Sequence, residues 1–164
     1  MLLRGGIELV VGAVLLWLAL LWGRAQSRKN RQMVMLHIGF VWLGVAMLLA
    51  GLSQWLGLWH GAPVMGLGAL HALTMGCLAS RMLTMLTRIS FAHSGRATQA
   101  ERITWPLLWC LQWATLLRIA AAWPAEWATG LLVVAAGLWL VLMGVWVWRL
   151  LPWFGRLRSD GRPG

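Results

Sequence analysis

The sequence contains few charged residues. Only 11% of its 164 residues are charged and four are acidic, whereas 60% are hydrophobic and the mean hydropathy is +0.73. A soluble globular domain carries about 25% charged residues. The composition therefore excludes an ordinary soluble protein and indicates an integral membrane protein.

Cysteine and the common catalytic motifs are also scarce. Cys77 and Cys110 both lie in hydrophobic runs, where a thiol packs as a small apolar group, and they form neither a disulfide framework nor a CxxC zinc pattern. The chain has no Walker loop, dinucleotide-binding fingerprint, HExxH motif or serine-nucleophile motif. These absences argue against an autonomous hydrolytic enzyme.

Basic residues outnumber acidic ones and give a formal net charge of +10. Nucleic-acid binding would require them to form a basic face on a soluble domain. Here they lie between apolar runs, and short cytoplasmic loops of membrane proteins retain lysine and arginine. We therefore expect the lipid bilayer as the surrounding partner and no binding of nucleic acid.

Five apolar runs are long enough to cross the hydrocarbon layer, which takes about 20 helical residues. They predict an all-α, polytopic membrane helix bundle that forms a single transmembrane domain over residues 1–164, with a basic tail at 152–164. Eleven of the fourteen basic residues fall in the first and third connections and the tail. This pattern places the N-terminus outside and the C-terminus in the cytoplasm. The five predicted transmembrane helices cover approximately residues 7–22, 33–52, 64–86, 105–122 and 128–151.

The third predicted span contains a histidine at a depth where ionisable groups are costly, by roughly 2.5 to 3.5 kcal/mol each on insertion scales. His71 lies about 10 Å from the outer end at 1.5 Å per residue, so it cannot easily reach the interface. A neutral imidazole there needs a hydrogen-bond partner or a metal. Arg118 of the fourth span lies at a similar depth, and helix rotation decides whether the two residues meet. A ligand or proton-handling role and a structural role both stay open for His71.

Other ionisable residues offer further candidates. Arg81 and Arg88 lie on the same side of the third span and could pair with a haem propionate or a lipid phosphate, or extend to the inner interface. His37 lies about one turn from the inner surface in the second span, and His93 lies near the surface after the third. Either histidine could be a ligand or an interfacial side chain.

Small side chains recur every four residues on another face of the third span. Gly68, Ala72, Gly76 and Ser80 form this ladder. Such ladders let helix backbones approach closely in a bilayer. We therefore predict that Gly68, Ala72 and Gly76 are packing residues.

The run HALTMGCLASRMLTMLTRISFAHSGR at residues 71–96 resembles a known family. It is similar to the segments H-A-L-T-x-G, M-x-x-M-x-x-R and G-H-T-G-R of the NnrS family of polytopic membrane proteins. The last segment departs conservatively, since it reads Ala92, His93, Ser94, Gly95 and Arg96 here. The tail at 159–164 also resembles the family's ending. Family members typically have about twice as many spans, so the resemblance covers their C-terminal part.

The resemblance implies a function. NnrS-like proteins are described as haem- and copper-containing membrane proteins linked to nitric oxide and nitrosative stress. We therefore expect haem and copper as cofactors and the bacterial inner membrane as the location. The residues carried over from the family pattern are His71, Thr74, Gly76, Met82, Met85, Arg88, His93, Gly95 and Arg96.

The first hypothesis is an NnrS-like haem protein. His71 is its preferred axial ligand, and His37 or His93 is the second candidate. Arg81 and Arg88 would meet the propionates, and His71 and His93 are the candidate metal ligands. His37 and His71 are separated by about 14 Å along the membrane normal. A five-coordinate haem, or a site shared between chains of a homo-oligomer, therefore fits better than ligation by both histidines.

Two other hypotheses belong to different functional classes. The chain could be a cofactor-free small subunit or assembly factor that packs against a larger membrane redox complex through Gly68, Ala72 and Gly76. It could also be a small transporter that uses Arg81, Arg118 and His71. The spans contain few polar residues and no paired inverted half, which argues against a transporter.

Overall fold

The computed structural model of the chain consists of long helices joined by short connections. It describes residues 2–25, 31–61, 64–95 and 100–154, and no strand occurs in these ranges. This confirms the predicted all-α fold. The helices are α1 (Leu2–Ala25), α2 (Arg31–His60), α3 (Gly68–Ser94), α4 (Ala100–Ala120) and α5 (Ala128–Leu150), and a short 3-10 turn, Leu151–Trp153, follows α5.

Four of these helices, α1, α2, α3 and α5, are long and apolar enough to cross a membrane. Helix α4 corresponds to the predicted fourth span but is not among them. It carries Arg102, Gln112 and Arg118, which lower its hydropathy. The structure thus supports a membrane protein with four candidate spans, while the count of five spans and the orientation of the termini stay predictions.

The boundaries of α3 differ most from those expected. The helix begins at Gly68 because Met65 and Gly66 before it have positive φ values of 67° and 42°, which a helix cannot contain. It then continues past the apolar run to Ser94. Gly95 ends it with φ +65°, the left-handed conformation that commonly terminates helices.

Glycines bring α1 and α2 into close contact. A Cβ atom built on Gly12 would lie 2.8 Å from Leu48 Cγ, and one built on Gly44 would lie 2.8 Å from Leu16 Cδ2. A Cβ on Gly51 would meet the Gly5 carbonyl oxygen at 2.7 Å. Small residues permit such close approach in membranes, where association depends on van der Waals contact. The two helices therefore form a tightly packed antiparallel pair.

The small-residue ladder of α3 is buried inside the bundle. Gly68 faces Ile119 and Ala122 at the end of α4, and Ala72 is fully buried. The backbone of Gly76 lies against the Trp42 indole of α2. Helices of the same chain thus cover this face, so it is not accessible to a larger membrane redox complex.

A π-helical segment, Ala72–Ala79, forms the middle of α3. Side chains four residues apart shift progressively around the axis of an α-helix, because the α-helix has 3.6 residues per turn. A π-helix has more than four residues per turn, so the same side chains shift around its axis in the opposite direction. The π segment therefore keeps the ladder from Gly68 to Ser80 on one side of the helix.

The opposite side of α3 points away from the bundle. Leu78, Met82 and Met85 are 51%, 59% and 44% exposed. Thr74 is also exposed, and its hydroxyl donates to the Leu70 carbonyl at 2.8 Å. Three residues of the family pattern, Thr74, Met82 and Met85, therefore lie on the outer surface of this chain.

We predict that Gly76→Ala destabilises the fold. The new Cβ would lie 2.5 Å from Trp42 Cδ2. Overpacking of this kind costs about 1–3 kcal/mol, which exceeds the gain of at most about 1 kcal/mol in helix propensity. Gly137→Ala in α5 is the matched control, since nothing lies within 4 Å of its Cβ position. Thermal unfolding in detergent should show a lower midpoint for the first variant alone, and equal midpoints would contradict the tight contact.

Candidate functional site

A buried polar cluster joins α2, α3 and α4 at the centre of the bundle. The Gln112 side chain of α4 accepts a hydrogen bond from Trp42 Nε1. Its amide nitrogen donates to Ser80 Oγ at 3.0 Å and to the Leu108 carbonyl at 3.2 Å. Gln112 is 5% exposed and Ser80 is fully buried. The amide thus has partners for both its donor and its acceptor atoms, as a buried polar group requires.

Other buried polar side chains are also paired. Trp146 Nε1 of α5 donates to Thr87 Oγ1 of α3 at 2.9 Å, and Thr87 in turn donates to the Leu83 carbonyl. In the part of the chain that the structure describes, every buried side-chain nitrogen or oxygen has a hydrogen-bond partner. These central groups therefore hold the helices together. A binding site is expected where polar side chains have no hydrogen-bond partner within the protein.

A cleft of about 640 Å³ opens between the C-terminal part of α1, the N-terminal part of α2 and the start of α4. This is the end of the bundle that is predicted to be cytoplasmic. The side chains around it comprise one histidine, two arginines, one tryptophan and small or aliphatic residues. They are Ala19, Leu20, Gly23, Arg24, Arg31, Val34, His37 and Trp105.

The His37 imidazole reaches across the cleft toward α1. A Cβ atom built on Gly23 would lie 3.0 Å from His37 Nε2. The Nε2 edge of the imidazole therefore packs against the backbone of α1 at Gly23, where any larger residue would crowd it. Among the described residues, His37 makes no hydrogen bond through its side chain.

Two guanidinium groups flank this imidazole. Arg24 lies at the end of α1 and Arg31 at the start of α2, and both are exposed. The Arg31 guanidinium carbon is 5.9 Å from the ring centroid of Trp105, within cation–π range. The cleft therefore combines a cationic rim with the apolar walls of Ala19, Leu20 and Val34.

His71, the histidine preferred from the sequence, lies elsewhere. It is half-buried at the N-terminal end of α3, next to the π segment. The Arg118 guanidinium of α4 lies within electrostatic range of its imidazole, so helix rotation does bring these two residues near each other. His71 does not line the cleft of His37.

The remaining candidates do not converge on either histidine. The Arg81 side chain lies over Gly39 of α2, and its guanidinium carbon is 5.9 Å from the Phe40 ring centroid. Arg88 is exposed, and His93 is exposed in the last turn of α3. Gly95 ends that helix, and Arg96 falls outside the described residues.

A copper centre needs several donor side chains in one place. Within residues 2–25, 31–61, 64–95 and 100–154, no group of three or more His, Cys, Asp or Glu side chains could hold a metal ion. The described donors thus fit a single-imidazole site better than a copper cluster.

Sequence reasoning missed most of the cleft. It used the basic residues of the first connection, which include Arg24 and Arg31, only to orient the chain in the membrane, and it gave Trp105 no role in a site. The sequence did offer one indication of the cleft. Because α1 and α2 are antiparallel, Arg24 at the end of α1 and Arg31 at the start of α2 lie at the same depth. Gly23 gave no signal, since its importance depends on the direction of the His37 side chain.

Comparison with known proteins gives one match. A family model described as NnrS protein matches residues 1–158. No curated protein and no solved structure matches the chain.

We predict that Gln112→Leu destabilises the bundle by about 1–3 kcal/mol, because it leaves Trp42 Nε1 and Ser80 Oγ unpaired. Trp42→Phe removes only the donor. In a double-mutant cycle followed by thermal unfolding in detergent, the combined loss should therefore be smaller than the sum of the single losses. Additivity within about 0.5 kcal/mol would show that the two side chains do not interact.

Proposed function

The chain belongs to the NnrS family, and on this premise we propose that it is a membrane haem protein linked to the response to nitric oxide or nitrosative stress. We also propose the bacterial inner membrane as its location. The clustering of basic residues at one end of the bundle supports that location, because such residues are retained on the cytoplasmic side.

The observation that carries the proposal is the composition of the cleft around His37. A haem pocket needs an imidazole or another soft donor for the iron, cations for two propionates, and apolar walls. The cleft supplies His37, the pair Arg24 and Arg31, and an aliphatic wall. Its volume of about 640 Å³ lies within the range of about 300–1,000 Å³ for ligand pockets. The donor set and the space therefore fit the group that the family implies.

This proposal changes the preferred ligand from His71 to His37. His37 lines a cleft that also holds Arg24 and Arg31. His71 does not line this cleft, and its charged neighbour is Arg118. Arg24 and Arg31 accordingly replace Arg81 and Arg88 as the groups that meet the propionates.

Each residue of the cleft has a distinct task. His37 would hold the iron, while Arg24 and Arg31 would pair with the propionates. Trp105 lies within cation–π range of the Arg31 guanidinium. When bound, haem supplies an iron that can take up nitric oxide. Copper stays a second proposed cofactor from the family, but the candidate ligands His71 and His93 lie near opposite ends of α3, so those of one chain cannot bind the same copper ion.

A second candidate function is a cofactor-free small subunit or assembly factor of a larger membrane redox complex. The outward face of α3 favours it, since Leu78, Met82 and Met85 are about half exposed. Methionine-rich surfaces adapt well to a partner. The partner would be a second copy of this chain or a redox subunit.

We predict that His37→Ala abolishes haem binding, whereas His71→Ala retains it. The physical reason is that His37 lines the cleft with cationic residues for the propionates, whereas His71 does not line it. The measurement is the Soret absorbance and the pyridine haemochrome of chains purified in mild detergent after expression with haem supply. Size-exclusion chromatography would confirm that each variant is folded.

The reverse pattern, with haem lost from His71→Ala alone, would restore His71 as the ligand. A monodisperse wild-type chain without any Soret band would instead favour the cofactor-free subunit. The two outcomes are distinct because the first retains a haem protein and the second does not.

We predict that Gly23→Ala lowers haem occupancy without removing any donor. Its Cβ would lie 3.0 Å from His37 Nε2 and would displace the imidazole from its position against α1. Gly6→Ala on the same helix is the matched control, because nothing lies within 4 Å of its Cβ position. Haem content per chain should fall in the first variant only. Unchanged content in both would show that haem binding does not depend on the position of the His37 imidazole against α1.

A further inference from the structure

Arg81 of α3 does not line the cleft of His37, and its charge lies in a helix predicted to cross the membrane, where an unpaired cation is costly. Its side chain crosses α2 at Gly39, where a built Cβ atom would lie 2.9 Å from Arg81 Cγ. We propose that the Arg81 guanidinium binds the phosphate of an anionic phospholipid in the predicted cytoplasmic leaflet, beside the rings of Phe40 and Trp22. This site goes beyond the proposed function and does not depend on haem.

The Arg81 guanidinium has no anionic partner in the part of the chain that the structure describes. The ion pair found there joins Arg4 and Glu8, at the predicted outer end of the bundle. The described carboxylate of Glu126 follows α4 at that same end. Every buried side-chain nitrogen among the described residues has a hydrogen-bond partner, so the unpaired nitrogens of Arg81 are accessible from outside. An anion from outside the chain can therefore reach them.

The accessible guanidinium lies on the other side of α2 from the cleft. At about 100° per residue, Phe40 lies about 40° to one side of Gly44, which packs against α1, and Val34 of the cleft lies about 80° to its other side. The Arg81 guanidinium carbon is 5.9 Å from the Phe40 ring centroid, which is 5.2 Å from that of Trp22 on α1. Trp22, Phe40 and Arg81 thus form a row that is separate from the cleft.

The depth of this row suits a lipid headgroup. Tryptophan side chains prefer the membrane interface, and Trp22 is 56% exposed near the end of α1. The guanidinium of Arg81 lies at a similar level, because one ring separates it from Trp22. Arg88 is exposed on the same side of α3, seven residues or about 10 Å nearer to the predicted cytoplasmic surface. A phosphate at Arg81 is therefore close to the interface and has a second cation beyond it.

Charge and the neighbouring rings select the class of ligand. Arginine binds phosphate through two parallel N–H···O bonds, and basic pockets between membrane helices bind anionic headgroups. The amine of a zwitterionic lipid would add a positive charge beside Arg81 and Arg88, which repel it. The apolar rings of Phe40 and Trp22 suit acyl chains, which a free phosphate lacks. An anionic phospholipid such as phosphatidylglycerol therefore fits this site.

The test is the binding of phosphatidylglycerol to the 164-residue chain, purified in mild detergent and freed of lipid. We expect it to raise the midpoint of thermal unfolding, whereas phosphatidylcholine with the same acyl chains should leave the midpoint unchanged. Glycerol phosphate, which has the charge without acyl chains, should also leave it unchanged. Equal shifts from both lipids would contradict selection by charge, and an equal shift from glycerol phosphate would contradict a lipid as the ligand.

Arg81→Gln separates this site from a general attraction between basic residues and anionic lipid. It should raise the half-saturating fraction of phosphatidylglycerol about fivefold or more, the contribution of one basic residue near an anionic membrane surface. Arg149→Gln is the matched control, because Arg149 is a partly exposed arginine in the last turn of α5, at the same end of the bundle. An equal rise in both variants, or in neither, would overturn the assignment of Arg81.

Native mass spectrometry counts the retained lipid directly and does not depend on unfolding. Wild type and Arg149→Gln should retain one phosphatidylglycerol that Arg81→Gln loses. Arg81→Lys keeps the charge and serves if Arg81→Gln does not fold. It should hold the lipid more weakly than wild type, since an ammonium group cannot form the two parallel bonds. Equal retention by wild type and Arg81→Lys would overturn this mode of binding.

The lipid site and the proposed haem site can fail separately. Arg81→Gln should keep the haem content of wild type, because Arg81 does not line the cleft. Loss of haem from Arg81→Gln with unchanged lipid binding would assign Arg81 to the propionates and overturn the lipid site. A wild-type chain that retains phosphatidylglycerol but has no Soret band would overturn the proposed function alone.

Discussion

The hydrogen bonds of Gln112 are the interaction on which the arrangement of the bundle depends. A primary amide buried in a membrane protein has to find its partners inside the chain, because the hydrocarbon offers none. Gln112 finds them on two other helices, at Trp42 and Ser80. Any rotation of α2 or α3 that moved these groups away would leave the amide unpaired. The pairing therefore fixes the faces that these helices turn toward α4.

Packing around the same point makes the arrangement specific. The Trp42 indole can reach Gln112 because it passes over Gly76, where a Cβ atom would leave no room. The π-helical segment of α3 brings Gly76 and Ser80 to the same side of the helix as Gly68. The hydrogen bond between Trp42 and Gln112, the absence of a side chain at Gly76 and the π-helical segment thus depend on one another. Loss of any one of them weakens the other two.

The cleft follows from how this central arrangement orients α2. With Trp42 directed toward α4, the opposite face of α2, which bears Gly44 and His37, is directed toward α1. The glycine contacts then hold α1 and α2 together along most of their length. At the predicted cytoplasmic end the imidazole lies opposite Gly23, and the terminal residues Arg24 and Arg31 add positive charge. Family membership and this composition together support haem as the group that we propose for this site.

The sequence by itself determined the class of structure, because hydrophobicity and the distribution of arginine and lysine act over whole segments and need no knowledge of contacts. It also determined the NnrS resemblance and the candidate histidines. Only the tertiary structure decided which histidine lines a cleft with two arginines. That depends on helix rotation, which the pairing of Gln112 with Trp42 sets across 70 residues of sequence. A histidine at helical spacing has no fixed direction until such a contact is made, and so the sequence favoured the deeper His71 while the structure favours His37.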